Sequence, residues 1–285
     1  MMEFNNLDGF LSEKGDKLYD TSNRSMRYGD GIFETIKLVN GELMFWKDHY
    51  NRLFKGMKHL KLDTIGKEED FWKKEVEKVI VKNYFTNARI RIIVYRNSPG
   101  TYTPMGNRVG FLIEGTRFDK PNYMYSKEGL RLGLFEGDHK GMSPMNNLKT
   151  TSALLFVLAG VHKKETEVDD VVVLNAAGRV CETVSSNIFA VIDNKVITPK
   201  LSEGCLDGVM RKQIIKAIKQ KEIDFEEGEL TLEKLRSANE IFTTNSMAGV
   251  QGIGEFEGKS KDLSFVKELQ SYLDSALQQV QKIKN

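Results

Sequence analysis

A chain of 285 residues with 40% apolar and 29% charged side chains can bury one large core or two modest ones, since roughly 150 residues per domain gives about two domains. Twenty-four glycines and five prolines exclude a collagen-like chain, and the apolar content excludes a disordered one. The 42 basic and 40 acidic residues leave a formal net charge of +2, and no basic run marks a nucleic-acid footprint, so no nucleic-acid partner is expected.

The first ten residues carry Glu3 and Asp8 where a signal peptide has a basic start and an apolar stretch. No apolar run approaches the ~20 residues needed to span a bilayer, so a cytoplasmic location without a membrane partner is the expectation. Two cysteines, Cys181 and Cys205, make no disulfide framework. His49, His59, His139 and His162 show no zinc-ligand spacing, so no metal is expected.

In chain order, residues 31–39 (GIFETIKLV) alternate as a strand, Asn40-Gly41 supplies a tight turn, and residues 42–46 return as a second strand. Leu53, Phe54, Met57 and Leu60 then fall at helical spacing, as do Phe71, Val76, Val79 and Ile80. Residues 88–95 and 109–114 are rich in branched side chains and read as two strands across a Ser98-Pro99-Gly100 break. Residues 118–129 are polar and aperiodic, which places a domain link there and predicts domains 1–120 and 121–285. Beyond it the pattern predicts strands at 130–135, 171–174, 180–183, 188–192, 195–198 and 240–244. Helices are expected at 150–162, 208–221, 232–238 and 262–283. Strands and helices do not alternate strictly, so the class is α+β rather than a doubly wound sheet.

Four separated segments carry groups that are odd as filler. Lys149 stands between a turn-like Ser143-Pro144-Met145 loop and an apolar helix, and a lysine amine in a dry site can form a Schiff base with a carbonyl. An ordinary lysine at a helix start is the plainer account. Glu182 follows apolar strand residues, where a carboxylate needs a cationic partner such as a protonated ring nitrogen; an edge glutamate is the alternative. Gly208, Val209 and Met210 open a helix whose free N–H groups suit a phosphate, as any loop-to-helix junction would. Thr243, Thr244, Asn245 and Ser246 suit phosphate oxygens or an ordinary turn. Arg52 reads as an anion clamp or as a solvated surface arginine.

Taken together these segments resemble the class IV aminotransferase family, the fold type IV pyridoxal-phosphate enzymes. The family includes branched-chain and D-amino acid aminotransferases and 4-amino-4-deoxychorismate lyases. The resemblance rests on Tyr28-Gly29-Asp30-Gly31-Ile32-Phe33-Glu34-Thr35, His49-Tyr50-Asn51-Arg52-Leu53, Leu148-Lys149 and Glu182 through Phe189. It continues in Ile197-Thr198-Pro199, Leu206 through Arg211 and Asn245-Ser246. Val184 departs from the small residue usual there.

The resemblance implies a smaller N-terminal α/β sandwich, a larger barrel-like C-terminal domain, a homodimer and pyridoxal 5'-phosphate as cofactor. Lys149 would hold the cofactor covalently and shuttle the α-proton of a small amino substrate, and Glu182 would keep the pyridine nitrogen protonated. Arg52, the backbone of Gly208 and Val209, and Ser246 would bind the phosphate, and Asn245 would also lie at the cofactor. There Met210 replaces a threonine of many relatives, and Ser185 and Ser186 would line the ring. Tyr28, Thr35 and Tyr102 are the substrate-side candidates. Phe33-Glu34-Thr35 and Leu154 depart from the branched-chain pattern, and Ser98-Pro99 lacks the arginine that follows it in D-amino acid relatives. The chain is most similar to the lyases, with a transaminase as alternative; a non-catalytic member is disfavoured by the intact lysine and glutamate. Cys181 and Cys205 are expected to be buried small residues rather than nucleophiles.

Overall fold

The computed structural model describes residues 3–16, 20–119 and 121–282, with side chains to residue 275. Lys120 of the expected link and Ile283 at the expected end of the last helix lie outside the described residues. The chain divides into two compact units, Met1–Pro121 with Leu148–Ala153, and Asn122–Asn147 with Leu154–Asn285. The segment Leu148–Ala153, which the sequence places with the second domain, packs with the first because it hydrogen-bonds to a strand there. The Phe33 N–H donates to the Lys149 carbonyl (2.8 Å) and the Thr151 N–H to that of Gly31 (2.9 Å). The helix expected from residue 150 therefore starts only at Leu154.

The first unit runs β1 (Phe4–Leu7), β2 (Phe10–Glu13), α1 (Arg24–Tyr28), β3 (Gly31–Val39), β4 (Glu42–Leu43), α2 (Trp46–His59), α3 (Glu69–Lys82), β5 (Ala88–Arg96) and β6 (Val109–Arg117). Its sheet is antiparallel in the order β2-β1-β6-β5-β3-β4. Alternate residues Ile36 and Leu38 of β3, with Ile90, Ile92 and Ile113, meet Leu53, Met57, Trp72, Val76 and Val79 of α2 and α3 in one dry layer. The return strand is shorter than residues 42–46, because Phe45 takes a left-handed conformation (φ 55°) and Trp46 already begins α2.

The second unit runs β7 (Leu130–Leu134), α4 (Leu154–Glu165), β8 (Asp170–Leu174), β9 (Val180–Thr183), β10 (Asn187–Ile192), β11 (Lys195–Pro199), α5 (Val209–Gln220), β12 (Phe225–Gly228), α6 (Leu232–Ser237), β13 (Glu240–Asn245), β14 (Gly249–Phe256), β15 (Lys259–Ser260) and α7 (Ser264–Lys282). Its strands form one mixed sheet, β12-β11-β10-β13-β14-β7-β8-β9, with β15 on β14. Strand β9 ends that order, yet residues 184–186 join it to β10, with the Thr183 N–H donating to the Ser186 carbonyl (2.9 Å). So short a link requires the sheet to curl back on itself, which makes the unit barrel-like. Leu132, Val172, Val180, Ile188, Ile241 and Ile253 fill one core, with Leu235 of α6 against them. Elsewhere Phe189 and Phe242 stack at 4.7 Å, and Phe265 of α7 lies 6.2 Å from Phe242.

Helix α7 is anchored by a buried carboxylate. Glu240 accepts the Phe265 N–H (2.8 Å) and the Val266 N–H (3.1 Å), satisfying donors that a helix start leaves open. Glu240→Ala should cost about 1–2 kcal/mol of unfolding free energy. A shift in the urea midpoint checks this, and an unchanged midpoint would contradict it.

Candidate active site

In the first unit Lys149 is carried on the extended segment against β3. Its Nζ lies 4.6 Å from the Phe33 ring centroid, and the Arg91 guanidinium carbon lies 4.3 Å from the same ring. Lys149 and Arg52 line one small cavity with Ile32, Phe33, Glu34, Leu53 and Gly56. Arg52 is no solvated surface arginine. It is buried, and its Nε and Nη2 donate to the two oxygens of Glu34 (2.7 and 2.6 Å), while His49 Nδ1 lies 2.7 Å from Glu34 Oε2.

The arrangement follows from periodicity. Glu34 lies on the same face of β3 as Ile32 and Ile36, and His49 and Arg52 are neighbours at i, i+3 on α2. Burial alone would raise Glu34, but the Arg52 charge and the hydrogen bonds outweigh it and hold its pKa down at about 2. Burial pushes the His49 imidazole down from its ordinary 6.5, so it stays neutral, and its Nε2 is buried without a hydrogen-bond partner.

Thr35 pairs in register with Arg91 of β5. Tyr28 ends α1 and meets the exposed Tyr102 with ring centroids 5.3 Å apart. Arg24 fixes the loop that carries Tyr102, its Nη1 donating to the carbonyls of Gly100 (2.9 Å) and Thr101 (2.5 Å).

In the second unit Glu182 lies in β9 at 4% exposure. Its Oε2 accepts the Leu206 N–H (2.9 Å), and its Oε1 accepts from the Nζ of Lys140, itself 5% exposed. The cationic partner that the sequence demands is thus present within the chain. The loop supplying Leu206 is held by Asn147 Nδ2, which donates to the carbonyls of Leu201 and Cys205 (both 2.7 Å). Arg179 grips the buried Glu203 just before it (2.6 and 3.0 Å).

Gly208 caps α5, and no side chain closes that helix start. A Cβ on Gly208 would sit 1.9 Å from Asn187 Oδ1, and Asn187 is fixed by its own bond to the Leu206 carbonyl (2.8 Å). Glycine is required there first by Asn187. Val209 and Met210 are buried, at 2% and 1% exposure. Ser185 is exposed, whereas Ser186 Oγ accepts from Asn245 Nδ2 (2.9 Å). Asn245 Oδ1 in turn accepts the Met247 and Ala248 N–H groups (2.9 and 2.7 Å), fixing the turn that holds Ser246.

Thr244, paired in register with Asn187, has a buried hydroxyl without a hydrogen-bond partner. A helix start without a side-chain cap, an orphaned hydroxyl and Ser246 close by in sequence make a donor set that fits a phosphate. Cys181 and Cys205 are both buried, and burial raises their thiols far above the reactive range. Among the described residues no group of three or more His, Cys, Asp or Glu side chains could hold a metal ion, and no helix is long and apolar enough to cross a membrane.

Glu34, His49 and Lys140 were not singled out from the sequence as site groups. For Glu34 and His49 the signal exists, since a carboxylate on the apolar face of an alternating strand needs a cation. For Lys140, 42 residues from Glu182, no local pattern points to the pair.

Comparison with known proteins bears on these groups. The family profile described as Amino-transferase class IV matches residues 31–256. The chain is 29% identical over 247 residues to an aminodeoxychorismate lyase of Vibrio harveyi, covering 85% of this chain and 89% of that one. It is 27% identical over 237 residues to the branched-chain-amino-acid aminotransferase-like protein 1 of Arabidopsis thaliana, covering 81% of this chain but 42% of that protein. A solved branched-chain aminotransferase from Thermoproteus uzoniensis, with norvaline, superposes with a TM-score of 0.88 at 26% identity, covering 97% of this chain and 95% of that one.

The neutral His49 gives a pH signature. Its folded pKa lies below 6.5, so the unfolded chain takes up the proton first and stability should fall as pH drops below 6.5. Glu34 contributes separately: its stabilisation is present above 4.5 and is lost only as pH falls toward about 2. His49→Asn should flatten the first of these slopes in urea midpoints taken across pH; equal slopes in the two proteins would contradict the assignment.

Proposed function

Because the chain belongs to the class IV amino-transferase family, we propose that it binds pyridoxal 5'-phosphate and acts on a small amino substrate, cleaving 4-amino-4-deoxychorismate to 4-aminobenzoate and pyruvate. The cofactor assignment is supported by Lys149, whose backbone is fixed to β3 and which lies close to Arg52.

When bound, pyridoxal phosphate supplies an electron-accepting ring conjugated to the substrate nitrogen. Lys149 Nζ would hold it covalently and, once the substrate's amine has displaced it, would be the base that takes the α-proton and returns a proton to the product. Glu182 holds a proton at the ring nitrogen. The α5 N–H groups, Thr244 and Ser246 would take the phosphate, and Arg52, its guanidinium plane fixed by Glu34, would be a further anion clamp. The Phe33 ring, 4.6 Å from the Lys149 amine, would give that amine an apolar neighbour on one side.

The loop after β5 carries the choice of lyase. At the positions after Ser98-Pro99 stand Gly100, Thr101 and Tyr102 rather than an arginine for a substrate carboxylate, and Arg24 is engaged by the loop's own carbonyls. Tyr102 against Tyr28 offers aromatic surface to a ring-shaped substrate. The second reading, amino transfer with 2-oxoglutarate, is favoured by the relatives named branched-chain aminotransferases.

Purified protein supplied with pyridoxal phosphate should turn yellow and release 4-aminobenzoate and pyruvate in equal amounts from 4-amino-4-deoxychorismate. Lys149→Ala should lower that rate by about a thousandfold or more. Brisk 2-oxoglutarate-dependent transfer from branched-chain or D-amino acids without 4-aminobenzoate would replace the lyase reading by the transaminase.

Assembly as a homodimer belongs to the same proposal. Leu154, Val157, Leu158 and Val161 form an i, i+3, i+4, i+7 stripe on α4 and are 70%, 57%, 41% and 49% exposed. A second copy of the chain would cover it. Light scattering should give twice the chain mass, and Val157→Glu with Val161→Glu should halve it; a monomeric native protein would refute the dimer.

A further inference from the structure

The pairing at Glu182 goes beyond what the family assignment requires. Lys140 lies outside every regular element, but its backbone is fixed to the end of β8: its N–H donates to the Leu174 carbonyl (2.9 Å), and its own carbonyl accepts the Ala176 N–H (2.9 Å). Its side chain runs through the interior, 5.3 Å from the Phe156 ring centroid, and ends on Glu182 Oε1. Lys140 and Glu182 are 5% and 4% exposed, so neither charge has water to relax into.

A buried ion pair of this kind is retained at a desolvation cost, and removing one member leaves the other uncompensated. Each carboxylate oxygen offers two lone-pair directions. Lys140 on Oε1 and the Leu206 N–H on Oε2 therefore fix the plane of the group while leaving acceptor capacity unused.

We propose that Lys140 is the positioning residue of Glu182, holding its carboxylate in one plane so that the unused lone pairs are set for the N–H of a heteroaromatic ring. Lys140 touches neither ring nor substrate; it acts through Glu182, and the inference rests on the role proposed for Glu182. A neutral residue at 140 would leave a buried carboxylate with one backbone donor and no balancing charge. Such a group is no longer held in that plane, and the ring nitrogen loses its partner.

The test reads the bound cofactor's spectrum. Native protein, Glu182→Gln, Lys140→Met, Lys140→Gln, Lys140→Arg and the double variant Lys140→Met/Glu182→Gln are loaded with pyridoxal phosphate, and their visible absorbance bands are compared. Glu182→Gln should displace the band. Lys140→Met and Lys140→Gln should displace it in the same direction by at least half as much, the double variant should go no further than Glu182→Gln alone, and Lys140→Arg should restore the native band. In the same neutral variants, exchange of the substrate's α-proton with deuterated solvent should slow about tenfold or more, with KM within about twofold.

If either neutral variant that folds keeps the native band while Glu182→Gln has lost it, the role of Lys140 is overturned and that of Glu182 stands. If Glu182→Gln also keeps the native band, the reading of Glu182 falls and the inference with it. The glutamine variant keeps a hydrogen-bond donor at 140, so the comparison survives a methionine variant that fails to fold.

Discussion

A charge taken out of water has to be matched where it lies, and that constraint shapes both groups of candidate residues. In the first unit the carboxylate of Glu34 faces the layer of Ile36, Leu53 and Met57, and it is held there by Arg52 on both oxygens with His49 beside it. In the second, Glu182 lies in a strand whose neighbours are fully buried, and it is matched by Lys140 and a backbone N–H. Removing one member of such a pair costs about 3–5 kcal/mol, far more than a surface ion pair returns. The pairs therefore fix side-chain planes as firmly as packing does, and fixed planes are what a bound ring and a phosphate require.

Backbone hydrogen bonding does the corresponding work for Lys149. The peptide units on either side of Thr150 pair with β3 as an added strand would, so the lysine is carried by a sheet rather than by a flexible loop. The exposed apolar stripe of α4 begins where that extended segment ends. A chain that must first complete one unit's sheet and then form a helix cannot begin the helix at residue 150, whatever the helical propensity of ALLFVLAGV.

Much of this was legible in the sequence. The turn at Asn40-Gly41, the helical spacing of Leu53 and Met57, and the branched strands about residues 88–95 and 109–114 coincide with observed elements. The α+β class and the family resemblance were legible too. Strand β14 was not, because its sequence GVQGIGEF puts glycine where close approach requires it. A Cβ on Gly252 would meet Leu263 Cδ2 at 2.6 Å, and one on Gly254 the Glu128 carbonyl at 1.8 Å, so packing removed the residues that signal a strand. Strand β12, FEEG, is a charged edge, and β1 carries the buried polar pair Asn5 and Asn6, so neither shows apolar alternation. Among the site residues, Lys149 and Glu182 stood out as charges in apolar settings, whereas Arg52 also read as a solvated surface residue. Their partners did not, since a lysine and a glutamate 42 residues apart leave no local trace.

Under the proposed function one amine, Lys149 Nζ, would carry the cofactor covalently. Borohydride reduction of the yellow protein, followed by proteolysis and mass spectrometry, reads this directly. A single phosphopyridoxyl group on the peptide containing Lys149 is the predicted result; the group on another lysine, Lys140 included, or no modified peptide from a cofactor-saturated protein would contradict it.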